Sequence, residues 1–168
     1  MINHLMKGGL CVAVAAAGYF TNPAQAQMSC WAPQHVAAAK IRDLQSRLMV
    51  ATMRCSAMGI DILPQYNSFV RNNRSTIQAA NSVIKAQFAH GYGGTGQVAY
   101  DRFTTALANA YGADPTNRLI CDQTAANASA AAAANGDSVR LLHIVESMGS
   151  TPDLPGGECR INFAEAAQ

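Results

Sequence analysis

The chain is poor in charge, in aromatic rings and in anything that reads as a strand. Only 13 % of its 168 residues are charged and the formal net charge is +2. No field is there to draw in a polyanion, which argues against nucleic acid as a partner. Aromatic residues make up 7 %, with a single tryptophan, and much of the 49 % hydrophobic content is alanine. Alanine favours helix while contributing little buried area per residue, so the core should be closely packed but lean. No segment alternates apolar and polar residues over a strand's length with β-branched enrichment, which argues against a sheet.

Metal-type spacings are missing as well. The cysteines never stand as a C-x-x-C pair, and His35, His90 and His143 fall on three separate helical segments with no H-x-x-x-H pair. Neither a zinc site nor a thioredoxin-like redox motif is expected, and no cofactor is called for. Past the N-terminal stretch no run approaches the roughly twenty apolar residues that span a bilayer. The alanines from Ala130 to Ala134 are closed off by Asn135, Gly136 and Asp137. No membrane span is expected in the mature form.

Residues 1–26 read as a secretory signal peptide. Lys7 supplies the positive start, Leu10 to Phe20 is apolar, and Ala24-Gln25-Ala26 is a small-x-small cleavage site, which would leave Gln27 as the first residue. Thr21-Asn22-Pro23 ends the apolar stretch well short of a membrane-spanning length. Cys11 belongs to this leader. What remains, residues 27–168, suits one domain with a real core, placed in the periplasm or secreted.

The mature chain reads as an all-α, up-and-down bundle of four to five helices. Ala37, Ile41, Leu44, Leu48, Ala51, Cys55 and Met58 recur at steps of four and three, between a first-turn Pro33 and a stop at Gly59. Lys40, Arg42, Asp43, Arg47 and Arg54 fall mostly off that stripe. Asp61 offers a cap for a second helix, which Arg71-Asn72-Asn73-Arg74 interrupts before the capping-box pattern Ser75-Thr76-Ile77-Gln78. The glycine-rich Gly91 to Gly94 ends that element as a flexible connection. Thr95 would cap the helix of Tyr100, Phe103, Leu107 and Ala110, and Asp114-Pro115 would start the one carrying Cys121, Ala125, Ala128 and Ala132. Asn135-Gly136-Asp137 separates it from a short helix with Leu141, Leu142, Val145 and Met148. Residues 149–168, rich in proline and glycine at first, form an irregular tail.

Four cysteines remain after the leader, and in an exported chain they predict two disulfides. Three connectivities are possible in principle. Bundle topology favours Cys55 with Cys121, since the end of the first helix and the start of the fourth lie at one end, and Cys30 with Cys159 through the returning tail.

Two features resemble functional sites. The helical Ile144-Val145-Glu146-Ser147 resembles the acid site of lytic transglycosylases, in which Glu146 would be the general acid of a peptidoglycan-active enzyme. Only 22 residues follow Glu146, so the downstream half of that family has no room. Arg71 and Arg74, with Tyr66 and Tyr92 flanking the polar break, form a candidate surface for a carboxylate- or glycan-bearing partner; a solvated kink is the simpler reading.

Cys30-Trp31, the stretch Ala39 to Gln45, Tyr66 to Val70 and Arg102 to Leu107, taken with the leader, resemble a group of small exported proteins of alphaproteobacteria with four cysteines. The resemblance implies no activity and carries no functional residue over. A structural or interaction role toward an envelope protein or cell-wall partner is the expectation.

Overall fold

Alanine and long straight side chains fill residues 33 to 57, and they form one helix of 25 residues, α1 (Pro33–Ala57). The computed structural model describes residues 30–160; the leader, its cleavage point ahead of Gln27, and residues 161–168 lie outside the described residues. Pro33 sits in the first turn, where its missing N–H costs nothing. Gly59, at φ +77°, ends the helix, with Gly59 N–H donating to Ser56 O and Ile60 N–H to Cys55 O. Met58 therefore lies past the last turn and is 49 % exposed, off the stripe expected for it.

The helix is covered on more than one side. Ile41, Leu44, Leu48 and Cys55 are buried, and so are Ala39, Asp43, Ser46 and Val50, which recur at the same steps of four and three on another face. The physical reason is position: α1 is packed by every other helix. After it come α2 (Leu63–Asn72), α3 (Arg74–Tyr92), α4 (Gly96–Gly112), α5 (Arg118–Ala133) and α6 (Ser138–Ser147). Among the described residues there is no strand, only an isolated parallel bridge between Trp31 and Glu158. The bundle is all-α, as expected, with one helix more than the upper count because the interruption at Asn73 is a full break.

Several helix starts differ from the expected ones. Asp61 does accept from Leu63 N–H, the first of α2, at 3.0 Å, but from one residue ahead of Ile62, which takes the flanking position. The Ser75 to Gln78 box is not used: α3 begins two residues earlier than it implies, at Arg74, and Thr76 Oγ1 instead donates to Gly136 O. Thr95 caps nothing and donates back to Tyr92 O, because a single 3-10 turn, Gly93–Thr95, leads straight into α4. That connection is tight rather than flexible. A Cβ on Gly96 would stand 2.8 Å from Ala89 Cα and from Phe88 O, so only glycine allows α4 to cross α3 there. Asp114-Pro115 stays in the loop, and Asn117 caps α5 by accepting from Ile120 N–H at 2.9 Å. Asp137 caps α6, accepting from Val139 and Arg140 N–H.

Both expected disulfides are present. Cys55 bonds to Cys121 at one end, with both sulfurs fully buried beside Ile62. Cys30 bonds to Cys159 and brings the tail back to the start of α1. Trp31 then becomes the anchor: its N–H donates to Gly157 O, its Nε1–H to Pro155 O at 2.8 Å, and its carbonyl accepts from Cys159 N–H. The ring is fully buried against Phe88 and Phe103, with centroids at 5.8 and 5.6 Å. Burying a side chain of that size contributes about 3 kcal/mol. The irregular tail is thus a fixed wall of the molecule up to Arg160.

Candidate functional site

The C-terminal end of α4 and the tail enclose the most developed site. Gly149, at φ +63°, ends α6, with Gly149 N–H donating to Glu146 O and Ser150 N–H to Val145 O. That turn carries Ser150 inward, where it is 5 % exposed. Its hydroxyl donates to Asp43 Oδ2 at 2.5 Å, and Tyr111 OH, near the end of α4, donates to the same oxygen at 2.7 Å. The two hydroxyls stand 2.9 Å apart. Asp43 is 1 % exposed, and among the described residues no cation lies within ion-pair distance of it.

Tyr111 separates two clefts. On one side, a space of about 250 Å³ is bordered by Arg47, Arg54, Cys55, Thr116 and Asn127. Its arginines are committed: Arg47 Nη1 donates to Met148 O at 2.7 Å while its guanidinium stands 5.5 Å from the Tyr111 ring centre. Arg54 donates to Gly112 O, Asp114 O and Thr116 Oγ1, clamping the loop after α4. On the other side, α4 and the tail enclose about 460 Å³, lined by Asp43, Tyr92, Phe103, Leu107, Tyr111 and Asp153 among others. This larger cleft is apolar and aromatic with a few polar groups, the composition expected of a small-molecule site.

Burial is the largest reason why the Tyr111 phenol is pushed from 10.0 up to about 12; the Ser150 hydrogen bond pulls it down, the bond to Asp43 and its charge push it up, and Arg47 pulls it down. Because the folded-state value is raised, the neutral phenol's contribution to stability is complete below pH 10 and is lost as pH rises toward 12. The difference in unfolding midpoint between the wild type and Tyr111→Phe is therefore expected to shrink over that alkaline window. A difference that stays constant across it would show that the hydroxyl network does not couple to folding. Tyr66 and Tyr100 are also raised, by burial first.

Of the residues singled out from sequence for catalysis or partner binding, Tyr92 lines the larger cleft and the others lie elsewhere. Glu146 is on the outer side of α6 with its side chain 60 % exposed, 3.9 Å from Lys40 and 4.0 Å from His143. It borders a shallow cleft of about 260 Å³ with Val36, Ala37, Leu142 and Lys40, and its exposure leaves it without the burial that a general acid of that kind calls for. Arg71 and Arg74 are exposed, and Arg71 donates to Ser68 Oγ. Tyr66 is half-buried beside Gln45 and Phe69. Tyr92 stacks on Phe88 at the far end of α3, about 27 Å from Arg74 at the helical rise. The four therefore do not form one surface. Asn73 is fully buried and donates to Ala131 O, while Asn72 stays exposed and still reaches across to Ala132 O of α5.

No family model, no curated protein and no solved structure matches this chain. Its site must be read from its own geometry. Among the described residues no three His, Cys, Asp or Glu side chains stand together at metal-binding distances. The buried carboxylate was missed because Asp43 falls off the apolar stripe of α1. The signal that marks it is Ala39, Asp43, Ser46 and Val50, a second stripe of small or short residues at helical spacing.

Proposed function

We propose that this chain is an exported protein of the periplasm or the medium that acts by binding, with the cleft between α4 and the tail as its working surface. The single observation that carries this reading is the construction of that cleft. One of its walls, residues 151 to 155, has no regular structure of its own. It is held in place by the Cys30–Cys159 bond and by the three backbone and indole hydrogen bonds at Trp31. Ser150 fastens the near end of the wall to α1. Pinning an irregular wall over an aromatic floor costs chain entropy that a purely structural bundle has no need to spend.

Export is supported by the leader pattern of residues 1–26 and by two disulfides, which persist in oxidising compartments. Among the described residues no helix is long and apolar enough to cross a membrane. The partner class is an envelope component, in line with the resemblance to small exported alphaproteobacterial proteins.

The test has two parts. Protein recovered from the exported fraction is expected to begin at Gln27, and native mass spectrometry of it should detect a co-purifying molecule that a Cys30→Ala/Cys159→Ala variant fails to retain. The reading fails if the wild type carries nothing and saturating envelope extract leaves the amide spectrum of the cleft unchanged. A zymogram showing peptidoglycan clearing that disappears in Glu146→Gln would replace it with the hydrolytic reading.

A further inference from the structure

We infer that the cleft between α4 and the tail takes a small alkylammonium ligand, its cationic head drawn to Asp43 and its apolar body lying along the aromatic floor. The inference rests on the binding role proposed above and names the ligand class.

A carboxylate 1 % exposed is costly to hold unless hydrogen bonds or a cation compensate it. Asp43 has two hydroxyl donors, both on Oδ2, and no cationic side chain at ion-pair distance among the described residues. Tyr111 and Ser150 thus fix the orientation of the group without neutralising it. The same carboxylate lines the cleft, so the missing positive charge has a place from which to arrive. Among the described residues, Asp153 adds a second carboxylate to the lining and Arg102 its only guanidinium, which leaves that lining with an excess of negative groups.

The remaining walls suit the rest of such a ligand. Phe88, Tyr92, Phe103 and Tyr111 contribute to them, with Phe88 and Tyr92 stacked at 5.9 Å and Phe88 and Phe103 at 5.3 Å. Aromatic faces attract ammonium groups, most strongly where water is excluded, and an adjacent buried carboxylate reinforces that preference over a neutral or anionic isostere. A volume of about 460 Å³ accommodates a head group with a short chain. The neighbouring cleft offers no such site, because Arg47 and Arg54 border it.

The experiment is a heteronuclear titration of the purified, disulfide-bonded protein with hexyltrimethylammonium, hexanol and hexanoate at matched ionic strength. Hexyltrimethylammonium is expected to bind at least tenfold more tightly than either isostere and to shift amides of α4 and of residues 150 to 155. Asp43→Asn keeps an acceptor for both hydroxyls while removing the charge, and should weaken the cation at least tenfold but leave hexanol unchanged. Tyr92→Leu provides an independent reading if that variant does not fold, with an expected loss of several-fold for the cation alone. Equal or tighter binding of hexanoate, shifts confined to another surface, or no binding of the cation would overturn the assignment. Pelleting of the protein with phosphatidylcholine vesicles would also overturn it, by moving the ammonium from a free ligand to a lipid surface. An anion found as the co-purifying molecule leaves the binding role standing and sinks the cation.

Discussion

Replacing Cys55 and Cys121 together by alanine is expected to lower the melting temperature by on the order of 10 to 20 °C. The bond closes a loop of 66 residues, and in the chain-entropy model such a loop stabilises by about 4 kcal/mol. A domain of this size has only about 5 to 15 kcal/mol in total, so the loss is a large part of it. Both cysteines are fully buried and sit with Ile62 in a small apolar cluster apart from the main core. That cluster joins the end of α1 to the first turn of α5, next to the loop that Arg54 clamps. Alanine avoids burying two hydroxyls in it, so the measured change reports the cross-link. A calorimetric scan of the oxidised double variant, with Cys30–Cys159 intact, decides the matter. A shift of less than a few degrees would mean that the unfolded chain is already held compact without the bond.

The second large effect is expected at Asn73. This side chain is fully buried at the break between α2 and α3. Its Nδ2 donates to Phe69 O and to Ala131 O, each at 2.8 Å, and its Oδ1 accepts from Gly136 N–H at 2.8 Å. One amide thus closes the end of one helix, reaches the end of another and holds the turn between α5 and α6. Asn73→Ala leaves Gly136 N–H without its partner, at about 1 to 3 kcal/mol, and takes one of two donors from Phe69 O and from Ala131 O, which keep the backbone N–H groups of residue 73 and of Ala134, so a loss of about 2 to 4 kcal/mol is expected. Asn73→Asp should be worse although it is nearly isosteric, because an acceptor would then face two carbonyl oxygens inside the protein. Denaturant unfolding of both variants tests this ordering. If aspartate is tolerated better than alanine, the amide is not the fastener described here.

Asn73 also shows how far reading the chain could reach. The polar cluster from Arg71 to Arg74 marks a break correctly, since nothing apolar continues the helical stripe there. That two arginines go to water while two asparagines go to α5 depends on an element some sixty residues downstream. The same holds for the expected partner surface: Tyr66 and Tyr92 bracket the break in sequence, but a straight helix carries Tyr92 to the other end of the bundle.

What the amino-acid order determined by itself was whatever local geometry enforces. Helix type and the stripes of α1, α4 and α5 follow from residue spacing, and the helix stops follow from Gly59, Gly112 and Asn135-Gly136. The Cys55–Cys121 pairing followed once those helices were laid up and down, because alternation puts both at one end, and the returning tail was left to bring Cys159 to Cys30. Tertiary structure alone decided the site. Asp43 looks like a surface charge on α1, and it becomes a buried carboxylate only because every other helix packs against α1, bringing Tyr111 from 68 residues away and Ser150 from 107 residues away to the same oxygen. No periodicity along one helix records how many neighbours will cover it, since that number is set by packing among helices distant in the chain.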